Sequence, residues 1–219
     1  MKFALVTAYN EAYQPLADIT WEQNKKLYAQ KWGYDAIAVT DGFASLADIS
    51  WHRHRNIIQL LESGKYEWIH ACGCDTMITN FNIRLEDIVD DNSDFIIATD
   101  CFNINNDSFL VRATPLAIEW LKYVDSLESQ YAEIHPWNDQ QAMIDNIERL
   151  GDRLKVVPQR VLNSYDYDQY PGSVPHVYKR DIFGNDGQWQ PGDFLIQWPG
   201  IPNSRRIPLA QQMLTQIIQ

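Results

Sequence analysis

The sequence predicts an α/β fold built on a largely parallel sheet, and three observations carry that prediction. Short apolar runs rich in β-branched residues alternate with segments of helical spacing through the first hundred residues. Gly33 and Gly64 stand where the first two helical patterns should stop. Strands separated by helices of this length imply right-handed βαβ crossovers and neighbouring parallel strands. A chain of 219 residues is also long enough to bury its own core without disulfide or metal staples.

Lys2–Ala8 reads as the first strand, closed by the turn signal Tyr9-Asn10. Pro15 to Trp32 has helical spacing through Leu16, Ile19, Trp21, Leu27 and Tyr28. Tyr34–Thr40 is a second strand, broken by Asp41-Gly42, and Trp51 to Ser63 a second helix. Glu67–Cys74 and Asp94–Thr99 follow as strands. Ser108–Arg112 is a short strand, and helical segments run from Pro115 to about Gln130 and from Trp137 to about Leu150. Beyond the strand Leu154–Val157 the chain turns loop-rich and aromatic. It ends with a strand, Phe194–Trp198, and a helix from about Pro208. No repeat or linker divides the sequence, so a single domain over 1–219 is expected.

The charge balance narrows the function. With 29 acidic against 18 basic residues the net charge is −11, which disfavours nucleic acid and anionic membrane surfaces as partners. No run approaches the length of a membrane span, and the N-terminal apolar stretch is too short for a signal peptide. Cys72, Cys74 and Cys101 are odd in number and lack paired CxxC spacing, so they read as small buried hydrophobes in a reducing compartment. These features lead to the expectation of a soluble, cytoplasmic protein.

Ligands of parallel α/β sheets bind beyond the carboxyl ends of the strands, where Thr7-Ala8-Tyr9, Asp41 and Gly73-Cys74-Asp75 fall. A carboxylate there, Asp75, is placed either to hold a divalent cation over a diphosphate or to cap the following turn. His52-Arg53-His54-Arg55 is either a solvated helix face or a docking point for an anion. Trp21, Trp32, Trp68 and Trp120 fit core positions, whereas Tyr165, Tyr167, Tyr170 and Trp189 lie in loops after the sheet and are the better candidates for a ligand groove. His70 and His135 read as structural, and Asp90, Asp91 and Glu148 as solvated surface.

Several segments, in order, resemble glycosyltransferase family 34, the galactosyl/xylosyl/mannosyl-type transferases. They are Trp51-His52-Arg53, Tyr66-Glu67-Trp68-Ile69, Gly73-Cys74-Asp75-Thr76-Met77-Ile78 and Asn106-Asp107-Ser108-Phe109-Leu110-Val111-Arg112. Trp137-Asn138-Asp139-Gln140-Gln141-Ala142, Asn163-Ser164-Tyr165 and Gly192-Asp193-Phe194-Leu195-Ile196-Gln197-Trp198-Pro199-Gly200 continue the series. The resemblance implies a GT-A fold, Rossmann-like and mostly parallel with flanking helices and a loop-rich aromatic C-terminal part. It fits a small stand-alone viral or microbial member. A nucleotide-sugar-binding half at 1–100 and an acceptor half at 101–219 are expected.

The implied activity is transfer of a sugar from a nucleoside diphosphate sugar, by preference a UDP-sugar, to a glycan hydroxyl, with retention of configuration. Thr7, Ala8, Tyr9, Asp41, Arg53, Gly73, Cys74, Asp75, Arg205 and Arg206 are the expected donor-binding residues. Asp139 and Gln140 are the expected catalytic pair, with Asn106, Ser108, Asn138, Tyr165 and Trp189 toward the acceptor. Two departures stand out: the first acid of the family's Asp-x-Asp is Gly73, and its late metal-binding His is Gln197. Mn²⁺ or Mg²⁺ is therefore expected to be weakly held, by Asp75 and Gln197. Two rivals are a catalytically inactive glycan-binding module on the same fold and a sugar nucleotidyltransferase. The latter needs a Gly-rich basic loop after the first strand, which Ala8-Tyr9-Asn10-Glu11 is not.

Overall fold

The computed structural model describes residues 1–43, 48–133, 138–170, 172 and 178–219. Its first strand, β1 (Phe3–Ala8), is buried along its whole length and paired in parallel on both edges. One neighbour is β2 (Asp35–Val39), the other β3 (Trp68–Cys72). Two helices link β1 to β2. Helix α1 (Gln14–Thr20) opens with Pro15 in its first turn, where a missing N–H leaves nothing unpaired. A wide π-turn over Trp21–Lys25 leads into α2 (Lys26–Trp32), which stops at Gly33 with φ +72°, a left-handed cap that favours glycine. The sequence pattern runs through this segment as one helix, because a π-turn shifts the register without changing which residues are apolar. Helix α3 (Asp48–Glu62) joins β2 to β3 and begins earlier than its apolar spacing alone suggests.

After β3 the chain makes a tight turn into the short β4 (Thr76–Ile78) and then reaches β5 (Phe95–Thr99). Strand β6 (Ile104–Arg112) returns between β3 and β5, antiparallel to both, with Cys72 opposite Ser108 and Ile97 opposite Phe109. It is longer than the expected Ser108–Arg112 because Ile104–Asp107, polar in its middle, is also paired or bulged into the sheet. Helix α4 (Pro115–Ser126) is capped by Thr114, whose hydroxyl accepts from the Ala117 N–H, and has Pro115 at its first position. Then follow α5 (Glu128–Tyr131), α6 (Asn138–Ile144) and β7 (Leu154–Val157), which pairs in parallel with β5. The helix expected from Trp137 to about Leu150 thus splits into α6 and a 3₁₀ segment at Ile147–Arg153; Trp137 and His135 lie outside the described residues.

The sheet order is β2-β1-β3-β6-β5-β7, with β6 alone opposing the common direction. A second, small sheet joins β4 to β9 (Leu195–Gln197) and β8 (Ser164–Tyr165), reached through α7 (Gln159–Leu162). Helix α8 (Asn203–Met213) closes the chain, starting before Pro208 rather than at it.

Period-two alternation places a core on each face of the main sheet. Phe3, Leu5, Trp68, Ile96 and Leu110 face Tyr28, Phe194 and Trp198. Ala4, Val6, Ile69, Phe95, Phe109 and Val111 face Trp51, Trp120 and Leu121. On that second face Phe95 stacks on Phe109 and meets Trp120 edge-on, each pair with centroids 4.9 Å apart. Such pairs add about 0.5–1.5 kcal/mol beyond their buried area. Trp21 is core as expected, while Trp32 is only partly covered and donates from Nε1 to the Phe81 carbonyl. Among the described residues no helix is long and apolar enough to cross a membrane.

Candidate active site

Because β6 opposes its neighbours, its first residues meet the last residues of β3 at one edge of the sheet, and a crevice opens there. The turn after β3 is held from behind. The Gly73 N–H donates to the Asp107 carbonyl at 2.8 Å, and the Gly73 carbonyl accepts from Lys25 Nζ at 2.7 Å and Thr76 Oγ1 at 2.8 Å. Thr20 Oγ1 donates to the Cys74 carbonyl at 2.7 Å, and the Asn24 amide pairs with both backbone groups of Ile78 at 2.8 Å. The π-turn aims Asn24 and Lys25 at this segment, which fits the frequent placement of such turns near functional sites. Lys25 is completely buried, so its charge stands directly behind the turn.

Four charged side chains meet in front of it. From α3, the buried Arg53 donates to the Asn106 carbonyl at 2.9 Å and lies 3.5 Å from Asp107 Oδ1. From α8, Arg206 is fixed by the Trp198 carbonyl at 2.8 Å and meets Asp75 Oδ2 at 2.8 Å. Removal from water, and next the like charge of Asp75, raise the Asp107 carboxyl above its ordinary value, with Arg53 pulling the other way. Gln197 Nε2 donates to Asp107 Oδ2, while Gln197 Oε1 is buried without a hydrogen-bond partner.

Two adjoining cavities flank this group. One, of about 260 Å³, is lined by Ala8, Tyr9, Tyr13, Arg53, Gly73, Cys74 and Asp75. The other, of about 450 Å³, is lined by Asp100, Phe102, Asn105, Asn106, Asp139, Gln140, Tyr165, Tyr170 and Gln197. Asp75, Asp107 and Arg206 border both. In the second cavity Asn106 is bracketed. Its Nδ2 donates to Asp139 Oδ2 at 2.6 Å and its backbone N–H to Gln140 Oε1 at 3.1 Å. His54 Nε2 lies 3.6 Å behind Asp139, too far for a hydrogen bond, and burial pushes the imidazole down to remain neutral. Tyr165 donates to Asp100 Oδ2 at 2.7 Å and accepts from Asn105 at 2.6 Å.

The crevice therefore gathers Ala8, Tyr9, Arg53, Gly73 and Cys74 on one side and Asn106, Asp139, Gln140, Tyr165 and Gln197 on the other, with Asp75 and Arg206 bordering both. Other expected site residues fall elsewhere. Thr7 is buried within β1, and Asp41 is exposed beyond β2, outside both cavities. Ser108 is buried against His70, 3.0 Å away, and Asn138 caps the Asp139 N–H at 2.6 Å. Arg205 is exposed and holds Gln169, and Trp189 borders a separate hollow with Trp198 and Met213.

The basic run 52–55 disperses: Arg53 enters the crevice, His54 the core, and Arg55 pairs with Asp125 and Glu128. Cys72 and Cys74 are buried with thiols pushed up by burial, Cys74 to about 11, consistent with inert packing. Asp90 is not plain surface, since it binds Lys155 at 2.8 Å and caps the Ser93 N–H. Asp193 forms a bidentate pair with Arg160, at 2.7–3.2 Å, away from the crevice. Asp107, Lys25 and Asp100 also belong to the crevice or its support, and no motif marks any of them as a site residue. An acid within an otherwise neutral stretch at the start of a strand was the visible signal for Asp107.

Among the described residues no three His, Cys, Asp or Glu side chains converge as a metal cluster. The carboxylates of Asp75 and Asp107 meet in the crevice, and the Gln197 amide reaches Asp107 through Nε2.

The architecture is that of solved sugar-transferring enzymes. A glycosyltransferase involved in the glycosylation of the major capsid of PBCV-1 superposes with a TM-score of 0.72 at 16% identity, covering 97% of this chain and all of that one. GlyE of Streptococcus pneumoniae TIGR4 gives 0.62 at 15% identity, over 97% of this chain and 61% of GlyE. The galactosyltransferase LgtC, solved with donor and acceptor sugar analogues, gives 0.54 at 12% identity over 99% and 96% of the two chains. Among curated proteins none matches the sequence. The class is therefore a glycosyltransferase of GT-A type. The sequence model of the galactosyl transferase GMA12/MNN10 family matches residues 89–206, over half of the chain, and the chain belongs to that family.

Proposed function

We propose that this glycosyltransferase moves a hexosyl or pentosyl unit from a nucleoside diphosphate sugar, first among them a UDP-sugar, to a glycan hydroxyl with retention of configuration. The observation that carries the reading is the pair of guanidiniums that line one cavity beyond the strand ends, Arg53 beside Asp107 and Arg206 beside Asp75. In this reading residues 1–100 supply most of the donor site, around Ala8, Tyr9 and Gly73-Cys74-Asp75, and residues 101–219 most of the acceptor site. Arg53 and Arg206 stabilise the charge that grows on the departing diphosphate. A divalent cation held at Asp75 would add Lewis-acid stabilisation of the same leaving group.

The bond from the anomeric carbon to the diphosphate oxygen breaks, its electron pair leaving on that oxygen. The acceptor oxygen forms the new bond from the same face and passes its proton to the departing phosphate oxygen. Asp139 and Gln140, through Asn106, fix the wall against which the acceptor hydroxyl is oriented, and the Asp139 carboxylate opposes the positive charge developing on the sugar.

The test is nucleotide release from UDP-, GDP- and dTDP-sugars, with and without a glycan acceptor. UDP release from one UDP-sugar, increased by acceptor, is expected. Saturable sugar binding with no nucleotide released from any donor would overturn the reading in favour of a binding module. Removing divalent ions with chelator should lower the rate, and an undiminished rate would sink the metal assistance.

A further inference from the structure

We propose that Asp107 supplies the carboxylate absent at position 73, so that Asp75, Asp107 and the Gln197 amide oxygen form an all-oxygen cation site; this rests on the donor-binding reading above. A Cβ built on Gly73 would lie 2.8 Å from Asp107 Oδ1 and 2.9 Å from Asp75 Oδ1. The two carboxylates therefore converge on one point, the space that a side chain at 73 would fill. Register enforces the meeting: Cys72 pairs with Ser108, and the Gly73 N–H is bonded to the Asp107 carbonyl.

The third donor comes from the small sheet. Gln197 pairs with Thr76, and the Trp198 N–H donates to the Asp75 carbonyl at 3.3 Å, which carries the Gln197 side chain to the same place. Gln197 is fully buried, its Nε2 donates to Asp107, and its Oε1 has no hydrogen-bond partner. An unpartnered buried amide oxygen is costly unless something outside the protein satisfies it. Arg206 takes Asp75 Oδ2, which leaves Oδ1 turned toward the shared point.

Two charged oxygens and one neutral oxygen suit a hard cation that keeps water or phosphate oxygens in its remaining positions. Without an imidazole or thiolate the set favours Mg²⁺ and Mn²⁺ over Zn²⁺. Gly73 is then the residue that makes room for Asp107, and acids at both positions exclude each other.

The experiment measures Mn²⁺ binding directly, by the loss of the free-ion electron paramagnetic resonance signal, in the presence of UDP. The wild type should bind Mn²⁺, Asp107→Asn should weaken binding at least about tenfold, and Gly73→Asp combined with Asp107→Gly should recover it. Gln197→His should introduce a ¹⁴N hyperfine coupling on the bound ion that the wild type lacks, a readout that needs no loss of fold. Circular dichroism melts of each variant identify unfolding. Undiminished Mn²⁺ binding by Asp107→Asn, or no ¹⁴N coupling in Gln197→His, would overturn the proposal. Donor hydrolysis by a wild type that binds no Mn²⁺ would overturn it too, while leaving the transferase reading intact. Mn²⁺ binding without nucleotide release from any donor would instead count against the transferase reading alone.

Discussion

Arg206 Nη2 lies 2.8 Å from Asp75 Oδ2, tying the closing helix to the turn that follows the central strand. Both side chains are nearly buried, at 8% and 11% exposure, so neither charge is well solvated when its partner is removed. Breaking such a pair by deleting one member costs about 3–5 kcal/mol. Arg206→Met should therefore lower the melting temperature by several degrees and weaken UDP binding. The adjacent Arg205→Met, whose side chain is exposed on Gln169, should change neither. Thermal melts and calorimetric UDP titrations of the two variants check this contrast; equal effects would contradict the separation of the two arginines.

Lys25 is expected to act through the backbone of Gly73 rather than on substrate. Its ammonium bond to the Gly73 carbonyl is of the charged kind, about 1.5–3 kcal/mol. Lys25→Met should loosen the turn 73–76, seen as faster amide hydrogen exchange there, with β5 and β7 unaffected. Unchanged exchange at the turn would contradict this role.

Asp139 borders the second cavity and not the first, so its loss should separate turnover from nucleotide affinity. Asp139→Ala should reduce kcat about a hundredfold or more, with UDP affinity held within about twofold as binding energies go. Parallel loss of both quantities would mean that Asp139 only holds Asn106 in place.

Stability should depend on pH through His70. This imidazole is fully buried, and burial, followed by the Lys25 charge, pushes it down from 6.5 to about 3. Between those values the unfolded chain binds more protons than the folded one, so stability falls as pH drops from about neutrality. Urea midpoints measured between pH 7.5 and pH 5 should decline less in His70→Gln than in the wild type. Parallel declines would show that His70 is not the titrating group.

Much of the fold is legible in the sequence because burial on both sheet faces imposes a local pattern. Phe3 and Leu5 against Ala4 and Val6 mark β1 as a strand without reference to any neighbour. Direction is not local: nothing in Asn105-Asn106-Asp107-Ser108 reveals that this stretch returns antiparallel beside β3. For the same reason Asp75 is legible at a strand end, while nothing local ties the acid at Asp107 to it as a spatial neighbour. Asn24 and Lys25 were hidden by the π-turn, which rotates them toward the crevice within an otherwise regular helical spacing. Arg205 and Arg206 are equivalent by composition, and only helix phase sends one inward. Tyr165 is placed by a hydrogen-bond network with Asp100 and Asn105, sixty residues and more away in the chain, which no periodicity encodes.

The room above Gly73 admits one carboxylate beside Asp75, whether it arrives from the end of β3 or from the start of β6. On the proposed site, a lineage moving that acid from one strand to the other must pass through a chain with both or with neither. The first intermediate overfills the crevice and crowds three negative charges; the second leaves Asp75 alone. On that site the two positions are expected to change together, and a signature that demands Asp-x-Asp would pass over a chain that carries its second acid at 107.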